Sequence, residues 1–208
     1  MAAGRTRFAQ RKEPVQARSR LTVQAILEAT AQVLVRRGYE GATTDAVAER
    51  AGVSIGTLYQ YFPNKQALVA ALAQAHVQQL LDLVQAALRA HAGGTLHAAL
   101  HAVIRAAIEA HRTNPALHKV LTEQVPRKRE LGVALDASGR LQSLIEDLLR
   151  QHLPQLKPTR RRLMALVLES SVEALTHRAV VEAPEWLRSG ELEDETMRLL
   201  GPYLAAAA

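Results

Sequence analysis

The stretch "TTDAVAERAGVSIGTLYQYFPNKQAL", residues 43–68, holds two glycines, one proline and an unusual share of the chain's rings. Three of the four tyrosines and one of the two phenylalanines lie between Tyr39 and Phe62, in a chain only 3% aromatic. The run reads as two short helices joined by a tight turn. Thr43 is a good N-cap, and Asp45 in the first turn sits well against the positive end of the helix dipole. Val47, Ala48 and Ala51 give this helix its buried side, with Ala48 small where a second helix must cross closely. Gly52 can take the left-handed conformation that ends the first helix. Val53 plugs the corner, Ser54 caps a second helix over Ile55 to about Tyr61, and Leu58 returns to the same core. A small residue, a glycine four later and an apolar residue six after that is the spacing of a helix-turn-helix. On these residues alone, the competing reading is a plain helical hairpin with half-buried tyrosines.

The second helix leaves Ile55, Gly56, Thr57, Tyr59 and Gln60 largely unburied. An amide there can pair with adenine, methyl groups can meet the thymine methyl, and hydroxyls can reach bases or phosphate. Gly56 weakens the helix but permits close approach of backbone to DNA. Tyr61 and Lys65 suit phosphate contacts, which position the element without reading sequence. Clustered rings with polar tips thereby gain a purpose: the ring packs inward and the hydroxyl donates outward.

Working outward, every other segment reads as helix. Val23, Ile26, Leu27, Thr30, Val33 and Leu34 recur at helical spacing, and Gly38 is placed to stop that helix. A long helix starts at Asn64, a good N-cap, and its stripe from Leu68 to Leu88 runs until Gly93-Gly94. Further helices are expected over Thr95–His111, Pro115–Gln124, from near Leu131 or Ser138 to His152, over Thr159–Val181, and from about Leu192 to Leu204. No strand-like alternation and no internal repeat is visible, so the expected fold class is all-α.

Bulk properties narrow the function. The sequence has 208 residues, 48% of them hydrophobic, enough for a real core. With no cysteine, thiol catalysis, disulfides and cysteine-bound metals are excluded. No apolar run approaches the length of a membrane span, and no signal-like segment follows the basic start, so no membrane partner and a cytoplasmic location are expected. Charge is unevenly placed. Residues 1–65 carry ten Lys/Arg against five Asp/Glu, whereas the remainder carries sixteen against fifteen. A basic end on a near-neutral body suits a polyanionic partner. Residues 1–17, with Arg5, Arg7, Arg11 and Lys12, read as a disordered basic arm.

The stretch "ILEATAQVLVRRGYEGATTDAVAERAGVSIGTLYQYFPNKQAL" resembles the DNA-binding domain of the tetracycline-repressor (TetR) family of transcriptional regulators. The resemblance covers about Arg18 to Leu72. It includes Gly38-Tyr39, Thr43-Thr44, the Ala48-Gly52-Val53 turn and the "TLYQYFPNK" run. It implies that Thr43 and Thr44 meet phosphate, and that Tyr59 and Lys65, with Tyr61 beside them, grip the backbone flanking a half-site. It also implies that Ile55, Gly56, Thr57 and Gln60 face the major groove, with the capping Ser54 counted among the DNA-binding residues. The implied organisation is a basic arm (1–17), a helix-turn-helix DNA-binding domain (18–65) and a helical ligand-binding and dimerisation domain (66–208). The last two helices resemble the family's dimer-forming pair. The implied partners are a double-stranded DNA operator, a small-molecule effector and a second copy of the chain.

The C-terminal half adds its own signals. In the Thr159–Val181 helix, Leu163, Val167, Ser170 and Ala174 line one stripe, with Met164, Leu168, Ser171 and Leu175 beside it. A helix apolar over so much of its girth must be buried on two sides. One side closes the domain, while Ser170, Ser171 and Ala174 permit close contact with a symmetry mate. All eight histidines lie beyond residue 75. His97 and His101 stand four apart, a spacing that can bind zinc; no third ligand is fixed, although His111, His118, Glu169, Glu173 or His177 could approach after folding, and pocket-lining or partly buried histidines are the preferred reading, with no metal. "PRKRE", Pro126–Glu130, reads as a solvated loop or a helix start. For an apolar or amphipathic effector the candidate contacts are His101, Arg105, Met164, Leu168 and Trp186. Arg105 either neutralises an acidic group there or snorkels to solvent. No cofactor and no enzymatic activity are expected, because no acid, base or nucleophile constellation is visible. The alternatives are a DNA-binding protein regulated by a partner, without a small-molecule pocket, and an all-α enzyme.

Overall fold

The computed structural model describes residues 17–125 and 137–207. The basic arm up to Gln16 and the "PRKRE" segment therefore lie outside the described residues. Among the described residues there are ten helices and no strand: α1 (Ala17–Gly41), α2 (Thr44–Ala51), α3 (Ile55–Tyr61), α4 (Lys65–Ala90), α5 (Leu96–Thr113), α6 (Pro115–Glu123), α7 (Ala137–His152), α8 (Pro158–Glu182), α9 (Trp186–Ser189) and α10 (Glu191–Ala205).

The chain forms two compact units, and the division falls within α4, after His76, and within α6, after His118. The first unit takes α1 to α3, the opening turns of α4 and the chain again from Lys119. Its core is Ile26, Leu34, Leu58, Phe62, Leu68 and Val69, all essentially inaccessible. Thr30, buried among them, donates its hydroxyl to the Ile26 carbonyl at 2.7 Å, so its polar atom is satisfied inside its own helix.

Helix α1 is broken where the sequence places Gly38. That residue adopts φ 66° and ψ 177°, backbone that an L-residue avoids. Two long side chains serve the peptide groups exposed by the break. Gln124, just past α6, accepts from the Tyr39 N–H at 3.1 Å. The Lys65 ammonium donates to the Tyr39 carbonyl at 2.9 Å and lies 4.5 Å from the Tyr39 ring centre. Tyr39 is thereby turned inward, and burial raises the pKa of its phenol.

The second unit is built from the rest of α4 with α5, α7, α8, α9 and α10. Leu100 and Ile104 of α5, Ile145 and Leu149 of α7, Ala165 and Leu168 of α8 and Leu200 of α10 form one continuous core. Two sequence expectations change here. The four-residue α9 had no periodicity to announce it. The expectation that no apolar run reaches membrane-spanning length is corrected, because α4 is long and apolar enough by length and composition. Its stripe is nevertheless core: Leu68, Val69, Leu81 and Val84 are buried.

Candidate nucleic-acid interface and ligand cavity

Each end of the helix pair is fixed by a local hydrogen bond the sequence dictates. The Thr43 hydroxyl accepts from Ala46 N–H at 3.2 Å and caps α2. At the other end Gly52 takes φ 66°, ψ 30°, its N–H reaching the Glu49 carbonyl while Val53 N–H reaches the Ala48 carbonyl. That is a Schellman closure, which ends α2 sharply and turns the chain into α3. Ser54 then accepts from Thr57 N–H at 3.0 Å, and the two hydroxyls lie 2.8 Å apart. Asn64 likewise caps α4, its amide oxygen accepting from Ala67 N–H at 2.8 Å.

Between these caps α3 has two distinct faces. Leu58 is fully buried, whereas Ile55, Tyr59 and Gln60 are exposed, with Ser54 and Gly56 beside them. Thr57 is half-buried. A Cβ added to Gly56 would meet only the Ser54 hydroxyl, at 3.8 Å. The Tyr59 and Thr44 hydroxyls stand 3.1 Å apart, bringing two of the expected phosphate-contacting residues from different helices to one point. Thr43 is exposed beside them.

Two of the expected phosphate contacts have partners within the protein. Tyr61 is 8% exposed; three residues from Leu58, it shares the inner face of α3 and packs as core. Lys65 is held by the carbonyls at the break of α1, which leave acceptors that only a donor from elsewhere can satisfy.

The second unit contains an apolar cavity between α4, α5, α7, α8 and α10. Val84, Leu100, Leu149, Leu168, Val172 and Leu204 are among its walls, and its open volume is about 50 Å³. That is room for a water or two, short of a ligand-sized void. Its polar lining is His111, Glu169, Glu173 and Thr176. His111 is buried, and its Nδ1 lies 2.6 Å from the Ala107 carbonyl. Burial lowers its pKa, so the imidazole stays neutral. Glu169 is also buried; one carboxylate oxygen accepts from the Ser138 hydroxyl at 2.6 Å and the other from Ser170 at 3.2 Å. Burial raises its pKa, against the pull of both hydroxyls.

Of the expected ligand contacts, Leu168 alone lines this cavity. His101 is paired with Glu193 at 2.7 Å, and Arg105 lies 3.8 Å from the same carboxylate, both partly exposed. Met164 is core behind the cavity wall, and Trp186 is 48% exposed. The sequence offered His111, Glu169 and Glu173 only as residues that could approach His97 and His101 after folding; that they meet one another and Thr176 at this cavity was missed, and the i, i+4 spacing of Glu169 and Glu173 was the one local signal pairing any of them. Among the described residues no group of three or more His, Asp or Glu is arranged to hold a metal ion.

Helix α8 is sided as its composition suggests. Met164, Ala165, Leu168, Val172 and Thr176 are buried. On the opposite side Leu163 is 59% and Leu166 45% exposed, with Ser170 and Ala174 exposed and Val167, Ser171 and Leu175 half-buried. On α10, Leu199 and Tyr203 are exposed as well.

Comparison with known proteins agrees with this layout. Residues 26–72 match the model for bacterial regulatory proteins of the tetR family, and residues 95–204 match that for the tetracyclin repressor-like C-terminal domain. The chain belongs to the TetR family of DNA-binding transcriptional regulators. The transcriptional repressor KstR of Mycolicibacterium smegmatis is 40% identical over 98 residues, which is 47% of each chain. The matched part spans between 24% and 48% of the length of such curated relatives. A TetR-family regulator from Streptomyces coelicolor has a similar structure, with TM-score 0.68 and 28% identity over 90% of this chain and 98% of that one. FadR of Bacillus subtilis, solved in complex with stearoyl-CoA, gives TM-score 0.72 at 19% identity over 85% of this chain and 96% of that one, a likeness of fold.

Proposed function

We propose that this chain is a homodimeric, ligand-responsive repressor that works in the cytoplasm without enzymatic activity. The observation that carries this reading is the division of α3. Leu58 and Tyr61 hold the helix to its core while Ile55, Gly56, Tyr59 and Gln60 stand outward as one face. That face fits the major groove, with Gln60 and Thr57 as base readers and the Tyr59–Thr44 hydroxyl pair on phosphate. A single α3 reads too few base pairs to find one operator in a genome. Two copies related by a two-fold axis read a palindrome, with half-sites roughly 34–36 Å or more apart. The outward apolar faces of α8 and α10 support such pairing, through Leu163, Leu166 and Leu199 around the small Ser170 and Ala174.

The cavity supports ligand control. Its walls are apolar, and Leu80, Leu96, Leu141 and Leu148 along it are only half-buried, so a bound molecule can displace them. A ligand that favours one arrangement of the dimer over another weakens operator binding by linkage. Selection of bound DNA from a random pool tests the reading. The expected product is a palindromic motif bound by a dimer. An enriched motif without two-fold symmetry, or no enrichment at all, would overturn it.

A further inference from the structure

Resting on that ligand-responsive reading, we propose that the cavity takes an amphipathic molecule with a protonated amine at the end of an aliphatic body. The polar groups at the cavity are acceptors. Because His111 Nδ1 lies 2.6 Å from a backbone carbonyl, that nitrogen carries the ring's proton and donates it. The neutral ring then keeps an acceptor lone pair at Nε2 and packs edge-on against the His118 ring, with centroids 4.3 Å apart. Each oxygen of Glu169 receives one serine hydroxyl and has acceptor capacity left. Glu173 adds a second carboxylate to the lining. The Thr176 hydroxyl is given to the Val172 carbonyl, so it competes for none of these.

No lysine or arginine is among the described lining residues. Of the arginines on α5, Arg105 is paired with Glu193 and 61% exposed, and Arg112, next to His111, is paired with Glu109 and 48% exposed. An anionic head group would lie beside two carboxylates in an apolar enclosure and be repelled. An ammonium brings three N–H donors and the opposite charge, and charge-assisted hydrogen bonds of this kind are the strong ones. Its arrival also reverses the effect of burial on Glu169, by favouring the ionised form. The described lining residues include no Phe, Tyr or Trp, so a flat cation held between ring faces fits less well than an aliphatic amine.

Titration calorimetry of the full chain at neutral pH with n-decylamine, sodium decanoate and 1-decanol tests this, each below its aggregation limit. Decylamine should bind at least about tenfold more tightly than decanoate or decanol. Glu173→Gln and Glu169→Gln should each weaken decylamine about tenfold with little effect on decanol; Glu173 is exposed, so its variant keeps the test alive if the buried exchange misfolds. Tighter binding of decanoate, undiminished decylamine affinity in a folded Gln variant, or no decylamine binding would each overturn the proposal. Operator release, followed in parallel, separates the two readings. Release by decanoate alone sinks the amine and keeps ligand control, whereas decylamine binding without release keeps the amine and sinks ligand control.

Discussion

Replacing Gly38 by alanine should cost far more than a methyl group on a helix surface normally does. The backbone there, at φ 66° and ψ 177°, lies in a region open in practice to glycine alone, and forcing alanine into it costs about 1–3 kcal/mol. The new Cβ would stand 2.7 Å from the Gln124 side-chain oxygen, closer than real Cβ contacts come. The amide must retreat, and with it goes the hydrogen bond to Tyr39 N–H, worth about 1 kcal/mol. Gly38→Ala should therefore destabilise the first unit by about 2–4 kcal/mol, and Gln124→Ala by about 1 kcal/mol. In the double variant the clash and the hydrogen bond are both gone and the strain alone is added. The two losses should consequently fall short of additivity by about 1 kcal/mol. Urea unfolding of the four proteins, followed by far-UV circular dichroism, measures all three quantities. A Gly38→Ala loss below about 0.5 kcal/mol, or strictly additive losses, would refute the roles given to Gly38 and Gln124.

Exchanging Gln60 for alanine should change the preferred half-site and cost about 1–3 kcal/mol on the original operator; an unchanged selected motif would mean that α3 docks differently. Tyr59→Phe removes the hydroxyl paired with Thr44 and should weaken binding to all sequences alike in a salt-titrated binding assay, so an altered sequence preference would count against its assignment to phosphate. Ala174→Glu puts a charge on the exposed face of α8, which in a packed dimer costs several kcal/mol. It should yield a monomer in sedimentation and lose operator binding; a folded variant that stays dimeric and binds as before sinks that interface. His111 contributes stability of the depressed-pKa kind. It is present above the unfolded-chain value of about 6.5 and is lost as pH falls toward and through the lower folded value. His111→Gln should flatten that acid limb of a thermal-melt series, and an identical pH profile would show that the buried ring titrates as if in water.

The helix pair was legible because its signals are local. Thr43, Gly52, Ser54 and Asn64 each act on backbone within four residues, and a cap residue announces itself in the sequence. Leu58 and the exposed positions of α3 followed from the same periodicity. The inward turn of Tyr61 was less legible, because a tyrosine can face either way and its placement three residues from Leu58 is what buries it. The cavity was largely illegible. His101 and Arg105 were natural ligand candidates on α5, yet both lie against Glu193, about ninety residues on. The polar end joins His111 to Glu169 and Glu173 from another helix, a meeting no local spacing encodes. Gln124 is similar: an unremarked amide past a short helix completes the break of α1 some eighty-five residues earlier.

Gly56 lies in the middle of the exposed face of α3, and nothing in the protein requires it. Its φ is not in the left-handed region, and the space around it would accept a methyl group. Alanine there would strengthen so short a helix by roughly 0.5–1 kcal/mol. On the proposed reading, what favours the glycine lies outside the polypeptide, in the close approach of the nucleic acid. The same separation extends along the helix, where the inward residues answer to the fold and the outward ones to the operator. If α3 docks as proposed, addresses in the genome can be rewritten at Ile55, Gly56, Thr57 and Gln60 by single exchanges, without asking the core to refold around them.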